Sequence, residues 1–315
     1  MNLNWSGVIP AITTPFNADL SLDEALLAAH SRWLVAEGSV GLVPIGSLGE
    51  SATLEPAEKR RVIETCIKAV GDRVPVIPGI AALSTAEAVK LAREAKAIGC
   101  SALMVLPPYV YSSDWREMKA HVRAVVTATD LPCLLYNNPI AYRTDFLPQH
   151  IVELAGELPN LQAVKESSAD VRRVTAIRAL AGARLQVLVG VDDAIVEGIA
   201  AGASGWIAGL VNAFPAESVA LFRYAREGRT EEAFALYQWF LPLLRMDTMV
   251  KLVQLIKLAQ QRVGMGSDRV RPPRLPLHGE ELRDATATLD RALAARPRFA
   301  VQANVAGKAA TVAAS

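Results

Sequence analysis

Cysteine, histidine and long apolar runs are all scarce in this chain, and each shortage closes off a class of protein. The three cysteines, Cys66, Cys100 and Cys133, are odd in number and widely spaced. They cannot form a disulfide framework, and they fit buried thiols in a reducing cytoplasm. Cys133, inside a strand-like run, reads as a small core residue. The four histidines, His30, His121, His150 and His278, form no close ligand cluster. No metal is expected, which leaves carboxylates as the one route to a hard cation. The longest apolar stretches, such as Leu131–Tyr136, are strand-length and too short to cross a bilayer. Residues 1–5 lack a basic segment followed by an apolar run, so no signal peptide is expected. An excess of one charge is missing as well. The net charge is +1, with Lys and Arg interleaved among Asp and Glu, which offers no footprint for nucleic acid or an anionic membrane.

What is present suits one large cytoplasmic domain. Of 315 residues, 51% are hydrophobic and 21% charged, ample for a sizeable core. The length matches a barrel of about 250 residues plus a C-terminal layer. Eight short runs rich in Val, Ile and Leu recur: Gly7–Thr13, Gly41–Ile45, Val74–Pro78, Ala102–Leu106, Pro132–Tyr136, Leu161–Val164, Gln186–Val189 and Gly205–Ala208. Segments with apolar residues at helical spacing lie between them, including Glu55–Val70, Thr85–Ile98, Trp115–Ala128 and Val171–Leu180. Ser84-Thr85, Ser113-Asp114 and Pro56 read as helix starts. Continuous apolar strands alternating with helices predict a parallel sheet covered by helices, and the count of eight predicts closure as a (β/α)₈ TIM barrel. An open doubly wound sheet is the alternative, but no GxGxxG follows the first run.

Beyond the eighth run the pattern is helical only: Glu217–Glu227, Glu231–Val263 and Glu280–Ala295. The second of these is too long for one helix, and Pro242 is expected to divide it. The reading is therefore a barrel over 1–215, a helical appendage over 216–298 packed on the barrel or on another subunit, and a flexible tail over 299–315.

In such a barrel the chemistry gathers where strands end and βα loops begin. There stand Gly46-Ser47-Leu48-Gly49-Glu50, Pro107-Pro108-Tyr109-Val110-Tyr111, Tyr136-Asn137-Asn138-Pro139, Lys165-Glu166-Ser167-Ser168, Gly190-Val191-Asp192-Asp193 and Gly209. Lys165, directly after Leu-Gln-Ala-Val, points into the mouth among aliphatic side chains. Burial disfavours the ammonium. A shift of roughly 3 units from ~10.4, worth about 4 kcal/mol, brings a lysine near neutrality. A neutral amine attacks a carbonyl or imine carbon, and the iminium so formed is an electron sink. Position alone also allows a lysine that simply reaches solvent. Tyr136, on the neighbouring strand end, is either a proton shuttle for carbinolamine formation or an amphipathic rim residue. The glycines of the 46–50 loop let backbone amides approach a carboxylate, or else make only a tight turn with Glu50 favouring a helix start. Asn137-Asn138-Pro139 can be a turn. Asp192-Asp193 reads first as an N-cap with a first-turn acid.

Taken together, the strings Gly46-Ser47-Leu48-Gly49-Glu50, Tyr136-Asn137-Asn138-Pro139, Val164-Lys165-Glu166 and the opening Gly7–Phe16 resemble the dihydrodipicolinate synthase / N-acetylneuraminate lyase superfamily. The resemblance runs from about residue 7 to residue 295. It implies a class I lyase or hydro-lyase without metal or organic cofactor, commonly a homotetramer built as a dimer of dimers. It implies Lys165 as the Schiff-base former, Tyr136 as the proton relay and Ser47 as the hydroxyl beside it. For the substrate pocket it marks Gly46, Leu48, Gly49, Tyr109, Tyr111, Asn138, Ala141, Tyr142, Arg143, Ser167, Gly190, Asp192, Ile207 and Gly209.

Departures argue against the synthase of that superfamily. Ser47 and Leu48 stand where it usually has two Thr, and Ala141 where it usually has a carboxylate-binding Arg, with Arg143 further on. Its paired tyrosines become Tyr109-Val110, which leaves Tyr111 as the substitute relay. Other strings are similar to 1-pyrroline-4-hydroxy-2-carboxylate deaminases of bacterial hydroxyproline breakdown. These are Tyr136–Tyr142, Ser167–Arg173, Gly190–Asp193, Tyr237–Leu244 and Arg271–Leu277. The expected substrate is thus a 2-keto acid or a cyclic imine of one. The expected activity is deamination, with dehydration, of 1-pyrroline-4-hydroxy-2-carboxylate to 2-oxoglutarate semialdehyde and ammonia. The alternatives are a 2-keto-3-deoxy-aldonate dehydratase or aldolase, a dihydrodipicolinate synthase-type pyruvate lyase and, in another class, a barrel that only binds a keto acid.

Overall fold

The computed structural model describes residues 3–108 and 114–297. Tyr109, Tyr111 and the proposed tail 299–315 lie outside the described residues. Seven strands, β1 (Gly7–Pro10), β2 (Gly79–Ile80), β3 (Leu103–Val105), β4 (Cys133–Asn137), β5 (Leu161–Glu166), β6 (Gln186–Val189) and β7 (Gly205–Ala208), form one parallel sheet. Their order is β1-β7-β6-β5-β4-β3-β2. Residues 41–45 close the ring between β1 and β2. They are held by single bridges, Ala11 to Val43 and Leu42 to Val76. Amide bonds from Val43 to the Pro10 carbonyl (2.8 Å) and from Ile77 to that of Leu42 (2.8 Å) complete the joint. The fold is a (β/α)₈ TIM barrel with a C-terminal helical appendage.

Several expected strands are shorter than their apolar runs, including Gly7–Thr13 and Ala102–Leu106, and two depart most. Gly41–Ile45 makes bridges rather than a ladder, and the third stave forms its ladder at Gly79–Ile80 instead of Val74–Pro78. Pro44, Pro75 and Pro78 explain this, since each lacks the N–H that a ladder needs.

The helix signals act as their chemistry requires. Ser84 accepts from the Glu87 amide, Asp114 closes a capping box with Glu117, and Pro56 opens Pro56–Val70. Pro242 does not divide the long C-terminal segment. It sits inside helix Thr230–Leu244, near its C-terminal end. The break falls after it, at the short 3₁₀ turn Arg245–Thr248, before helix Leu252–Arg262. The last helix, Gly279–Ala294, packs on Thr230–Leu244, and Trp239 donates to the Ala292 carbonyl at 3.0 Å.

The segment 245–262 lies along the C-terminal rim of the barrel. Thr13, just past β1, donates to Gln260 at 2.7 Å, and Lys257 reaches Glu50. No described helix is long and apolar enough to cross a membrane.

Candidate active site

Strand register decides which side chains meet. β4 and β5 pair Tyr136 with Lys165 and Asn137 with Glu166. Successive residues of a strand face opposite sides, so one pair lines the barrel interior and the other faces the helices. On the inner side the Lys165 Nζ lies 4.2 Å from the centre of the Tyr136 ring. On the outer side Asn137 donates to Glu166 at 3.1 Å, and the Ser168 amide donates to Glu166 at 2.7 Å. Asn137 also bonds the Phe146 backbone, and Asp145 holds Arg173 in a bidentate pair at 2.6 and 2.8 Å. This outer network clamps both strand ends, which sets the inner pair.

Lys165 is buried, and its Nζ has neither a hydrogen bond nor an ion pair among the described residues. Burial lowers its pKa to about 8, opposed by the charges of Asp247 and Asp192. Gly190, after β6, makes room for the side chain. A Cβ there would lie 2.0 Å from Ser167 Oγ and 2.5 Å from Lys165 Cε. Ser167 Oγ is buried and faces the Tyr136 phenol, whose pKa it helps to lower. Tyr136 is buried too, and its phenol is pushed up to about 12 by burial, eased by a hydrogen bond from Asn138 at 3.0 Å. Asn138 also caps the short helix Pro139–Tyr142 through the Ala141 amide. That helix sets the Tyr142 ring edge-on to Tyr136, with centroids 5.7 Å apart. The Tyr142 hydroxyl meets the Ser47 hydroxyl in a very short hydrogen bond. Ala141 and Arg143 are exposed, and Arg143 is in the left-handed region at φ 58°.

The 46–50 loop leaves the barrel through a strained residue. Ile45 has φ 50°, where a β-branched side chain is disfavoured. Gly79 and Gly49 accept this close turn, because a Cβ on either would come within 3.0 Å of the Ile45 backbone. The amides of Ser47 and Leu48 find no acceptor among the described residues. Glu50 does not cap a helix through its side chain, contrary to the turn reading. It is fully buried and paired with Lys257, and it also accepts from the Arg271 amide at 3.1 Å.

Asp192 likewise caps nothing with its side chain. The carboxylate is buried and reaches the end of β7, where it accepts from Trp206 Nε1 (2.9 Å) and the amides of Gly209 (3.0 Å) and Leu210 (2.7 Å). The N-cap reading is corrected because these three donors outbid a helix end. Burial raises its pKa to about 6, against those hydrogen bonds. Ile207 is a buried core residue of β7 paired with Ile9. Ser47, Tyr136, Tyr142, Lys165, Ser167 and Gly190 are brought together, and Asp192 with Gly209 forms the adjoining wall.

Sequence reasoning missed Asp247, in the turn Arg245–Thr248. It lies against Gly209, and burial followed by the Asp192 charge raises its pKa well above the carboxylate range. Among the described residues no group of three or more His, Cys, Asp or Glu comes together as metal ligands.

The comparisons with known proteins agree with this geometry. The profile of the dihydrodipicolinate synthetase family matches residues 4–292. The 4-hydroxy-tetrahydrodipicolinate synthase of Geotalea daltonii is 35% identical over 276 residues, which cover 87% of this chain and 93% of that protein. That of Agrobacterium fabrum is 35% identical over 269 residues, covering 85% and 92%. Among solved structures, the dihydrodipicolinate synthase from Acinetobacter baumannii complexed with pyruvate superposes with a TM-score of 0.87 at 28% identity, covering 91% of this chain and 99% of that one. Since the matched span holds the whole barrel, the Lys165–Tyr136 pair and nearly all of the last helix, the chain belongs to the dihydrodipicolinate synthetase family.

Proposed function

We propose that this chain is a Schiff-base lyase that converts 1-pyrroline-4-hydroxy-2-carboxylate, with loss of water, to 2-oxoglutarate semialdehyde and ammonia. The observation that carries the reading is an unpaired, buried amine at Lys165, with its pKa lowered to about 8, over the face of Tyr136. A lysine with neither a hydrogen bond nor an ion pair among the described residues, in a polar mouth, suits nucleophilic work.

In this reading Lys165 attacks C2 of the cyclic imine and the ring nitrogen leaves C2, so the ring opens by transimination. The iminium acidifies C3. Loss of that proton and of the 4-hydroxyl as water gives a conjugated imine, and unsaturation then shifts toward C5. Hydrolysis at C5 frees ammonia, and hydrolysis at C2 frees the keto acid and Lys165. The substrate carboxylate sits against the free amides of Ser47 and Leu48, and the Ser47–Tyr142–Tyr136 cluster moves protons.

Support for this substrate comes from the departures at Ser47, Leu48 and Ala141 and from the deaminase-like strings. The exposed Arg143 side chain makes no hydrogen bond among the described residues, while Tyr142 meets Ser47. The reading includes a homotetramer, which light scattering would test.

A second reading is favoured by the relatives, which are named as 4-hydroxy-tetrahydrodipicolinate synthases. In it Lys165 takes pyruvate, the compound with which the Acinetobacter baumannii synthase is complexed, and the enamine attacks an aldehyde. Ammonia release from freshly generated 1-pyrroline-4-hydroxy-2-carboxylate, with wild type and Lys165→Ala in parallel, separates the two. Release by wild type alone is expected. No release, with pyruvate still trapped on Lys165 by borohydride, selects the synthase-type chemistry.

A further inference from the structure

Asp247 reaches the mouth from outside the barrel. It lies in the turn Arg245–Thr248, which packs on the segment Asp192–Ala194 after β6. Gly209 admits its carboxyl. A Cβ at Gly209 would lie 1.8 Å from Asp247 Oδ1 and 2.5 Å from Cγ. The amide of the same glycine is held by Asp192, so two carboxyl groups flank Gly209.

The two acids are used differently. Asp192 is saturated by three donors and fully buried. Asp247 has no hydrogen bond and no ion pair among the described residues, and it keeps part of its surface open. A structural carboxyl in dense protein would be expected to have partners. The groups that set its charge are Lys165, Asp192 and Asp193, and it in turn acts on Tyr136. Burial and the Asp192 charge favour the protonated acid, against the pull of Lys165.

We propose that Asp247 is a catalytic acid facing the adduct on Lys165, and that it donates the proton with which the C4 hydroxyl departs as water. This rests on the deaminase reading above. The C3 proton passes to the Ser47–Tyr142–Tyr136 hydroxyls, which return one to C3 when the unsaturation moves toward C5, and the C3–H bonding pair becomes the C3=C4 bond as C4–O breaks. The departing oxygen keeps its pair and takes the Asp247 proton. The carboxylate left behind takes the proton lost from C5 as unsaturation moves toward that carbon, and the acid is restored.

The test compares full-length wild type with Asp247→Asn. Ammonia release from 1-pyrroline-4-hydroxy-2-carboxylate is followed, and the adduct on Lys165 is trapped with borohydride and weighed. Pyruvate trapping shows that the variant site is intact. Asp247→Asn is expected to release ammonia ~10²–10⁴-fold more slowly. Its trapped adduct should be heavier than the dehydrated one by a water, because the hydroxyl is retained. Release within about threefold of wild type, far inside the range for general acid catalysis, would overturn the assignment. Loss of pyruvate trapping would overturn it too, by making Asp247 a positioning residue for Lys165. Absence of ammonia from wild type itself would instead sink the deaminase reading, and this proposal with it.

Discussion

Lys165 and Lys257 are both buried lysines whose pKa burial lowers to about 8, yet their surroundings give them opposite uses. Lys257 lies in helix Leu252–Arg262, pairs with the fully buried Glu50 and donates to the Arg269 carbonyl at 2.7 Å. Its Nζ also sits 4.3 Å over the Phe16 ring, where Arg271 stacks as well. Every donor direction is spent on the protein. Lys165 has an aromatic face below it and two carboxyl groups beyond ion-pair contact, and its amine stays available. Desolvation alone therefore does not mark a nucleophile. In the reading proposed above, the mark is desolvation without an ion pair or hydrogen bond, at the mouth of the barrel.

The largest expected effect separates the two lysines by the sign of a stability change. Lys257→Met leaves the buried Glu50 without its close cation, with the Arg274 guanidinium at 3.9 Å, and a loss of ~3 kcal/mol is expected in urea unfolding. Lys165→Met removes an ammonium that the native state disfavours, so stability should rise, by on the order of 3 kcal/mol at neutral pH. The sign follows from proton uptake. The native pKa is depressed below that of the unfolded chain, so the unfolded state binds more protons between the two values. The gain is thus full below pH 8 and fades as pH climbs toward the value of a free lysine. A Lys165→Met protein less stable than wild type at pH 7 would break the comparison.

A middle-sized effect comes from the room given to Lys165. Gly190→Ala places a methyl within 2.0 Å of Ser167 Oγ and 2.5 Å of Lys165 Cε. The overpacking should cost about 1–3 kcal/mol. Because the lysine must move off Tyr136, pyruvate trapping should fall ~10-fold or more. Gly182→Ala is the control for chain effects, because a Cβ there meets nothing within 4 Å. Its left-handed backbone still carries the strain of a non-glycine residue, but trapping should stay at the wild-type rate.

Most of the barrel and half of the site were legible because period and position coincide. An apolar run that ends in Lys165 or Tyr136 announces both a strand and its exit, and the parallel register then makes those two residues neighbours. The staves broken by Pro44, Pro75 and Pro78 were over-read because apolar character alone ignores the missing donors. Glu50 and Asp192 were read as helix-start acids because local turn chemistry is visible in sequence, whereas Lys257 and Trp206 lie far along the chain. Asp247 was invisible for the same reason. It follows Leu243-Leu244 in a helical region, and only the packing of that turn on the β6 loop brings it to Gly209. The one available signal was a short polar break, Arg245–Thr248, inside a segment too long for a single helix.

The smallest effect is the most discriminating, because both lysines have pKa values lowered to about 8 and a bend there has two possible owners. Cyanoborohydride trapping of pyruvate should climb about tenfold per pH unit up to pH 8 and level off above it, since only the neutral amine attacks. Lys257→Arg keeps a cation opposite Glu50 but removes any titration there, because a guanidinium stays charged throughout this range. If the bend belongs to Lys165, the profile of Lys257→Arg keeps its shape, even where the bulkier side chain lowers stability. A bend that vanishes in Lys257→Arg would assign the titration to Lys257. The 46–50 loop would then be switching carboxylate binding, and the unpaired amine would no longer account for the pH dependence.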